Sequence, residues 1–330
     1  MKKFILAITM LVCCLMFVGC DKTELADYNA PEDARKVELS GKAEDSFIAQ
    51  RDCYVEGEDV VLFIEEGVTV KGDMLAITEK IMGELSEGSG KNFEKNYTPN
   101  GSYDACGEYF GEGVFDDINT DNEKIMIIIV NNPENKLVQQ AFPEGAVLDA
   151  SDYDLEETGW QTIYHELSHV LHLRNGEGLS STMNEGFAAY NEDRTQRRLG
   201  LPSWDAIQYY SGMLFDDSVI ALGEEGFSCY YEVKDDNYQY GFRFMSFLVD
   251  VYGDDIFFKI VDAATADGYN EGYDYYDREN SINADTEHLK KIIKSQTSDD
   301  VFEEFADWYE ENWENECDEY YAHLSELGLW

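Results

Sequence analysis

Two histidines and two glutamates at fixed spacings within residues 165–185 constrain the fold of this chain more than any other feature. His165 and His169 are four residues apart, with Glu166 beside the first. On a helix, residues at this spacing lie one turn above each other on the same face, so the two imidazoles can bind one metal ion next to a carboxylate base. Glu185 follows sixteen positions after His169 and is a candidate third ligand.

This set of side chains predicts one catalytic zinc ion. Zinc takes four nitrogen, oxygen or sulfur ligands, and a catalytic site leaves one of the four positions to water. His165, His169 and Glu185 would fill the other three. Bound zinc lowers the pKa of water to about 7, and Glu166 is placed to accept its proton and later to deliver that proton to a leaving amine. If the two histidines were merely exposed residues without a role, Glu185 and its surroundings would stay unexplained.

The pattern around Glu185 resembles that of the gluzincin zinc metallopeptidases. Residues 184–190 match their Asn-Glu-Gly-x-Ala-x-Tyr pattern, and the resemblance implies that Glu185 is the zinc ligand supplied by a second helix. Glu177 is a weaker candidate because it is close to the histidines and beside glycines. A metzincin would need glycine at 172 and histidine at 175, where this chain has His172 and Asn175.

The resemblance extends to a tyrosine and covers roughly residues 162–253. Gluzincin aminopeptidases carry a Tyr-x-x-Gly turn that opens a later helix, with a further glycine twelve residues after the first. Tyr238, Gly241 and Gly253 have this spacing. The resemblance implies that the Tyr238 hydroxyl donates a hydrogen bond to the oxyanion of the tetrahedral intermediate. Tyr240 is the alternative for this role.

Two differences from the family refine the prediction. The chain has no Gly-x-Met-Glu-Asn sequence, with which gluzincin aminopeptidases hold a free amine, so endopeptidase action is favoured. Thermolysin-like enzymes place an aspartate four residues after the ligand glutamate to orient a zinc histidine, and here that position is Ala189. The orienting partner is therefore left open. His172, near His169, is expected at the rim of the site.

The fold class predicted from this resemblance and from hydrophobic periodicity is α+β, a two-lobed thermolysin-like arrangement. A mixed lobe of residues 46–173 would end in the helix of the two histidines, and a mostly helical lobe of residues 174–330 would carry the third ligand. In the first lobe, apolar patterns predict four elements: strands at Val60–Ile64 and Lys124–Val130, a helix at Met74–Leu85 and an edge strand at Gly145–Asp149.

In the second lobe, apolar residues three and four apart predict a series of helices. The segments concerned are residues 183–198, 240–252, 254–264, 284–295 and 299–314.

The N-terminus predicts export and lipid attachment. A basic start and an apolar run of about 15 residues are typical of a signal peptide, here residues 1–19. Residues 17–20, Phe-Val-Gly-Cys, resemble a bacterial lipobox, with cleavage before Cys20 and lipid on its thiol. Residues 20–45 would then form a flexible acidic tether. The expected location is the cell envelope, on the periplasmic side or the cell surface. An ordinary cleaved signal peptide is the alternative.

After removal of the signal peptide and lipidation of Cys20, four cysteines remain in an exported chain. They are Cys53, Cys106, Cys229 and Cys317. An even number in an oxidising compartment permits disulfides with three possible pairings, and buried free thiols are the alternative.

The formal net charge of −45 limits the possible partners. A surface this acidic repels the phosphate backbone, so nucleic acids are excluded as ligands. Together with the motif, this predicts an exported zinc endopeptidase that acts on peptides or proteins. The alternatives are a binding or adhesin-like lipoprotein that keeps zinc structurally on a gluzincin scaffold, and a zinc hydrolase of a non-protein amide.

Overall fold

The computed structural model describes the chain in separate ranges, which are residues 27–28, 53–64, 68, 70–71, 74–94, 96, 124–130, 140–149, 161–176, 178–199, 223–230, 234–269 and 278–312. Within them the fold is α+β, mostly helical with a small mixed sheet. Several predicted features lie outside the described residues: the signal peptide, Cys20, nearly all of the tether, Glu177, Cys106 and Cys317.

A five-stranded sheet forms one side of the core. Its spatial order is β2 (Cys53–Glu56), β3 (Val60–Ile64), β5 (Ile125–Val130), β7 (Gly145–Asp149) and β6 (Gln140–Phe142). The three middle strands are parallel, and each outer strand is antiparallel to its neighbour. Every residue of the middle strands is buried, which explains their nearly continuous apolar sequences.

A second, two-stranded ladder lies in the N-terminal part of the described chain. Its strands are β1 (Asp27–Tyr28) and β4 (Val70–Lys71), which pair antiparallel. The first of them belongs to the segment predicted as a tether.

The strands predicted at residues 60–64 and 124–130 are confirmed, the second beginning one residue later. Gly145–Asp149 is also a strand, but the prediction that it lies at the edge of the sheet is wrong. Gln140–Phe142 pairs antiparallel with the outer side of Gly145–Asp149 and takes the edge position. A two-residue turn joins the two strands. Three residues beginning with glutamine are too short for an alternating pattern to reveal them.

The predicted helices are present, most of them longer than their apolar periodicity indicated. They are α1 (Met74–Ser89), α2 (Gln161–Asn175), α3 (Ser181–Leu199), α4 (Lys234–Tyr252), α5 (Ile256–Asp267), α6 (Arg278–Gln296) and α7 (residues 301–312). Helices α4 and α6 each start six residues before the predicted position, because their first turns are polar and show no apolar period.

Helices α3 and α4 cross with their backbones in contact. A Cβ atom added to Gly241 would lie 2.2 Å from the carbonyl oxygen of Thr182 and 2.8 Å from the Cα of Gly186. Only glycine permits this approach, since real Cβ atoms do not come so close to backbone. Glu185 directly precedes one of these glycines, and Tyr238 lies three residues before the other. The crossing therefore fixes the separation of the two backbone segments that carry these side chains.

A buried arginine ties the end of α2 to the sheet. The Arg174 guanidinium donates hydrogen bonds to the carbonyl oxygens of Pro143, Phe93 and Lys124, at 2.5, 2.5 and 3.3 Å. Burial lowers the pKa of Arg174 to about 10, an effect that the negative charge of Glu144 opposes. Because these carbonyls belong to three different segments, the arginine holds α2 in place relative to β5 and to the β6–β7 turn.

The thiol of Cys229 is buried and free, 3.5 Å from the hydroxyl oxygen of Tyr269. Burial raises its pKa, which makes it an unreactive thiol at neutral pH. For this cysteine the free-thiol alternative is the one observed.

Among the residues that the structure describes, no helix combines the length and the apolar character needed to cross a lipid bilayer.

Candidate metal centre

Helices α2 and α3 bring three predicted ligands together. Nε2 of His165 lies 3.0 Å from Oε2 of Glu185 and 3.2 Å from Nε2 of His169. Nε2 of His169 lies 3.4 Å from the same glutamate oxygen. The three atoms thus form a nearly equilateral triangle, and the spacing predicted from the sequence does place these side chains at one point.

The size of this triangle fits one zinc ion. Donors at zinc distances of 2.0–2.1 Å in tetrahedral directions are separated by about 3.3 Å. The observed separations of 3.0–3.4 Å lie around that value. The side chains are 12%, 15% and 24% exposed for His165, His169 and Glu185, so the triangle has access to solvent. Two imidazoles and one carboxylate form a donor set that suits zinc and leaves one position open.

Local structure orients the two helices. In α2 the opposite face is apolar and fully buried, with Ile163, Leu167 and Val170 in the core, which turns His165 and His169 toward Glu185 of α3. The start of α3 is fixed by Ser180, whose hydroxyl accepts the backbone N–H of Met183.

A further anchor at the start of α3 involves Thr182. Its backbone N–H donates to the carbonyl oxygen of Cys229, and its hydroxyl donates to the carbonyl oxygens of Ser228 at 2.7 Å and of Cys229 at 3.1 Å. Glu185 lies one turn later and is therefore held by a well-anchored first turn.

The electrostatics of the site favour a bound cation. Burial lowers the pKa of His165, but hydrogen bonds to Glu185 and Glu192 and the charge of Glu166 outweigh it and raise that pKa to about 10. For Glu185, burial has the opposite effect and raises the pKa. The neighbouring His169 and His165 outweigh burial and hold the pKa of Glu185 far below its ordinary value. Three carboxylates thus act on one imidazole, and the surplus of negative charge attracts a positive ion.

Glu166, the predicted general base, is 7% exposed and lies on α2 next to His165. Its negative charge acts on that imidazole.

Of the two candidate tyrosines, Tyr238 is the one near the triangle. Its ring centroid lies 5.8 Å from that of His165, and the side chain is half-buried. Tyr240 is 1% exposed and packs in the core against Phe227, Phe244 and Phe305. The expectation that Tyr238 lies in a turn opening the helix is wrong, because α4 begins four residues earlier, at Lys234.

His172 does not lie at the rim of the site, contrary to expectation. It is 1% exposed, and its ring packs edge-on against Phe257 with centroids 5.0 Å apart. His172 follows His169 by three residues on α2, and its side chain lies on the buried face of the helix.

The sequence interpretation missed Glu192. Its Oε2 lies 3.4 Å from Nδ1 of His165, and the residue is 5% exposed. It follows Glu185 by seven residues, or two helical turns, and so lies on the same face of α3. The seven-residue spacing is a signal that the sequence contains, but the resemblance to thermolysin-like enzymes pointed to position 189, where Ala189 is fully buried.

The chain matches no protein-family model, and a comparison with curated proteins found no match either.

Proposed function

We propose that the protein is a zinc-dependent endopeptidase of the gluzincin type. The observation that supports this most is the triangle of His165, His169 and Glu185, with ligand atoms 3.0–3.4 Å apart and Glu166 beside it. A structural zinc site needs no base next to its ligands, so the presence of Glu166 favours a catalytic one.

The proposed reaction is the hydrolysis of a peptide bond by water. Zinc, when bound, supplies Lewis acidity and lowers the pKa of a water molecule. Glu166 accepts a proton from the attacking water while the water oxygen adds to the carbonyl carbon of the peptide bond. Tyr238 donates a hydrogen bond to the carbonyl oxygen as it becomes an oxyanion. Glu166 then returns the proton to the nitrogen as the carbon–nitrogen bond breaks, leaving a carboxylic acid and an amine.

The architecture proposed with this function is two-lobed. Residues 46–173 would form the mixed lobe that ends in the helix of the two histidines, and residues 174–330 the helical lobe. The contact between α2 and α3 that joins the ligands would then be the contact between the lobes. The absence of a Gly-x-Met-Glu-Asn sequence supports internal cleavage rather than removal of N-terminal residues.

Lipid attachment at Cys20 is part of the proposal, and it can be tested separately. In bacteria that process lipoproteins, the full chain should incorporate labelled palmitate and fractionate with membranes. Cys20→Ser should lose both properties. Labelling of the serine variant would contradict lipidation at this residue.

The test of the activity is mass spectrometry of a diverse peptide library incubated with zinc-loaded protein from Asp21 onward. Glu166→Gln should bind zinc but lose about 10²–10⁴-fold in cleavage rate, the usual contribution of a positioned acid–base group. Glu303→Gln, which changes an exposed glutamate of α7 in the same way, is the matched control and should cleave like the wild type.

The outcomes separate the alternatives. Internal cuts by the wild type and the control, but not by Glu166→Gln, support the endopeptidase and give its side-chain preference. Binding of zinc without any cut would favour the binding lipoprotein or the hydrolase of a non-protein amide. Cuts that persist in Glu166→Gln at full rate would exclude the proposed mechanism.

A further inference from the structure

We infer that Glu192 is a positioning residue for the metal centre: its carboxylate accepts the Nδ1–H of His165 and so aims Nε2 at the metal. The inference depends on the metal-binding part of the proposed function and on no detail of the substrate.

The first observation is that α3 contacts both nitrogens of one imidazole. Glu185 Oε2 lies 3.0 Å from Nε2 of His165, and Glu192 Oε2 lies 3.4 Å from Nδ1. The second distance is just beyond the usual range of an N–H···O hydrogen bond, about 2.7–3.2 Å, and is that of a close ion pair. Because the two glutamates are two helical turns apart on one face, they hold the ring of His165 between them.

The second observation is the burial of Glu192. A carboxylate that is 5% exposed has lost most of its hydration, which is costly unless a partner replaces the water. His165 Nδ1 is such a partner. The hydroxyl of Tyr164, on the preceding position of α2, is also buried, and the negative charge of Glu192 contributes to raising its pKa. Glu192 is therefore a buried residue in contact with the metal centre, not a surface carboxylate.

The chemical reason concerns the tautomer of His165. An imidazole that binds a metal through Nε2 must carry its remaining proton on Nδ1. A carboxylate acceptor at Nδ1 stabilises this tautomer, fixes the ring orientation and makes Nε2 a better donor to the metal. Ala189 offers no acceptor at the position where thermolysin-like enzymes have an aspartate, so the role falls to the next residue on the same face of α3.

The test compares the zinc affinity of the wild type and Glu192→Gln, measured by competition with a chelating dye. Removing the hydrogen-bond partner of a metal-binding histidine typically lowers metal affinity by about 10–100-fold. We expect Glu192→Gln to lower the zinc affinity by a similar factor. Asp285→Asn is the matched control, because it removes another carboxylate of low exposure, on α6, whose charge neighbour is His288. It should bind zinc like the wild type.

Two further measurements distinguish positioning from general support of the fold. The denaturant midpoint of metal-free Glu192→Gln should match that of the metal-free wild type. The visible absorption of the cobalt-substituted variant should shift, because the geometry of one ligand has changed. If Glu192→Gln does not fold, Glu192→Asp keeps the charge but withdraws the oxygens by about 1.5 Å, and should show the same loss of zinc affinity.

The results point to different conclusions. Lower zinc affinity with an unchanged metal-free midpoint supports positioning. Equal zinc affinity in the wild type and Glu192→Gln would overturn the inference and leave the proposed function intact. A parallel fall in affinity and midpoint would overturn it in favour of a structural role. Failure of the wild type to bind zinc would overturn both.

Discussion

Glu185 shows how much one residue contributes to this site, because the same carboxylate oxygen is within 3.4 Å of both histidines. Glu185→Gln keeps the size of the side chain but removes the negative charge and leaves a weaker ligand. We expect the zinc content, measured by metal analysis after dialysis, to fall from about one per chain toward zero. Retention of one zinc by this variant would show that the ligand set is different.

Tyr238 and Tyr240 form a natural pair for comparison. Tyr238→Phe should lower kcat by about 10²-fold and change KM little, since its hydroxyl is proposed to act on the transition state. Tyr240→Phe removes a hydroxyl from the buried aromatic core and should leave kcat unchanged. The measurement is steady-state kinetics on a peptide found in the library experiment. The opposite pattern would reassign the role to Tyr240.

At the level of single residues, the sequence predicted what local periodicity can specify. His165, Glu166 and His169 share one stretch of helix, so their spacing alone sets their relative positions. His172 was misplaced because the buried face of α2 depends on how the helices pack, which a single helical pattern does not report. The spacing of Glu192 from Glu185 indicates a shared face of α3, but the contact of Glu192 with His165 depends on the same packing.

At the level of elements, the crossing of α3 and α4 gives a stability prediction. Gly241→Ala should destabilise the protein by about 1–3 kcal/mol, because the added methyl would collide with the Thr182 carbonyl and overpack the contact. The gain in helix propensity, about 1 kcal/mol, is smaller. Denaturant unfolding measures the difference.

The control is a helical glycine in open space. Gly83 of α1 is exposed, and a Cβ added there would meet nothing within 4 Å. Gly83→Ala should therefore stabilise the protein by up to about 1 kcal/mol. Equal effects of the two substitutions would mean that the helices do not cross at Gly241.

The elements themselves were predicted best where burial is uniform. Val60–Ile64 and Ile125–Val130 are buried along their whole length, and their apolar runs predicted this. Gln140–Phe142 was not predicted because a three-residue edge strand depends on its partner for its existence. The order of the strands likewise depends on pairing between distant segments, which periodicity does not report.

For the whole molecule, the charge of −45 predicts an effect on association with substrate. An acidic protein attracts cationic peptides, and salt screens that attraction. Raising the ionic strength should lower kcat/KM for a basic peptide more than for an acidic peptide with the same cleavage site. Equal salt dependence for both peptides would exclude electrostatic steering.

The contact between Gly186 and Gly241 also affects how the site responds to heat. Side chains in contact can change rotamer as the temperature rises, and such contacts then loosen. Two backbones in direct contact have no rotamers to exchange. The distance between the Cα atoms of Glu185 and Tyr238 should therefore expand little on warming, until the helices separate altogether. The site would then lose its geometry abruptly, together with the fold, and not by gradual loosening.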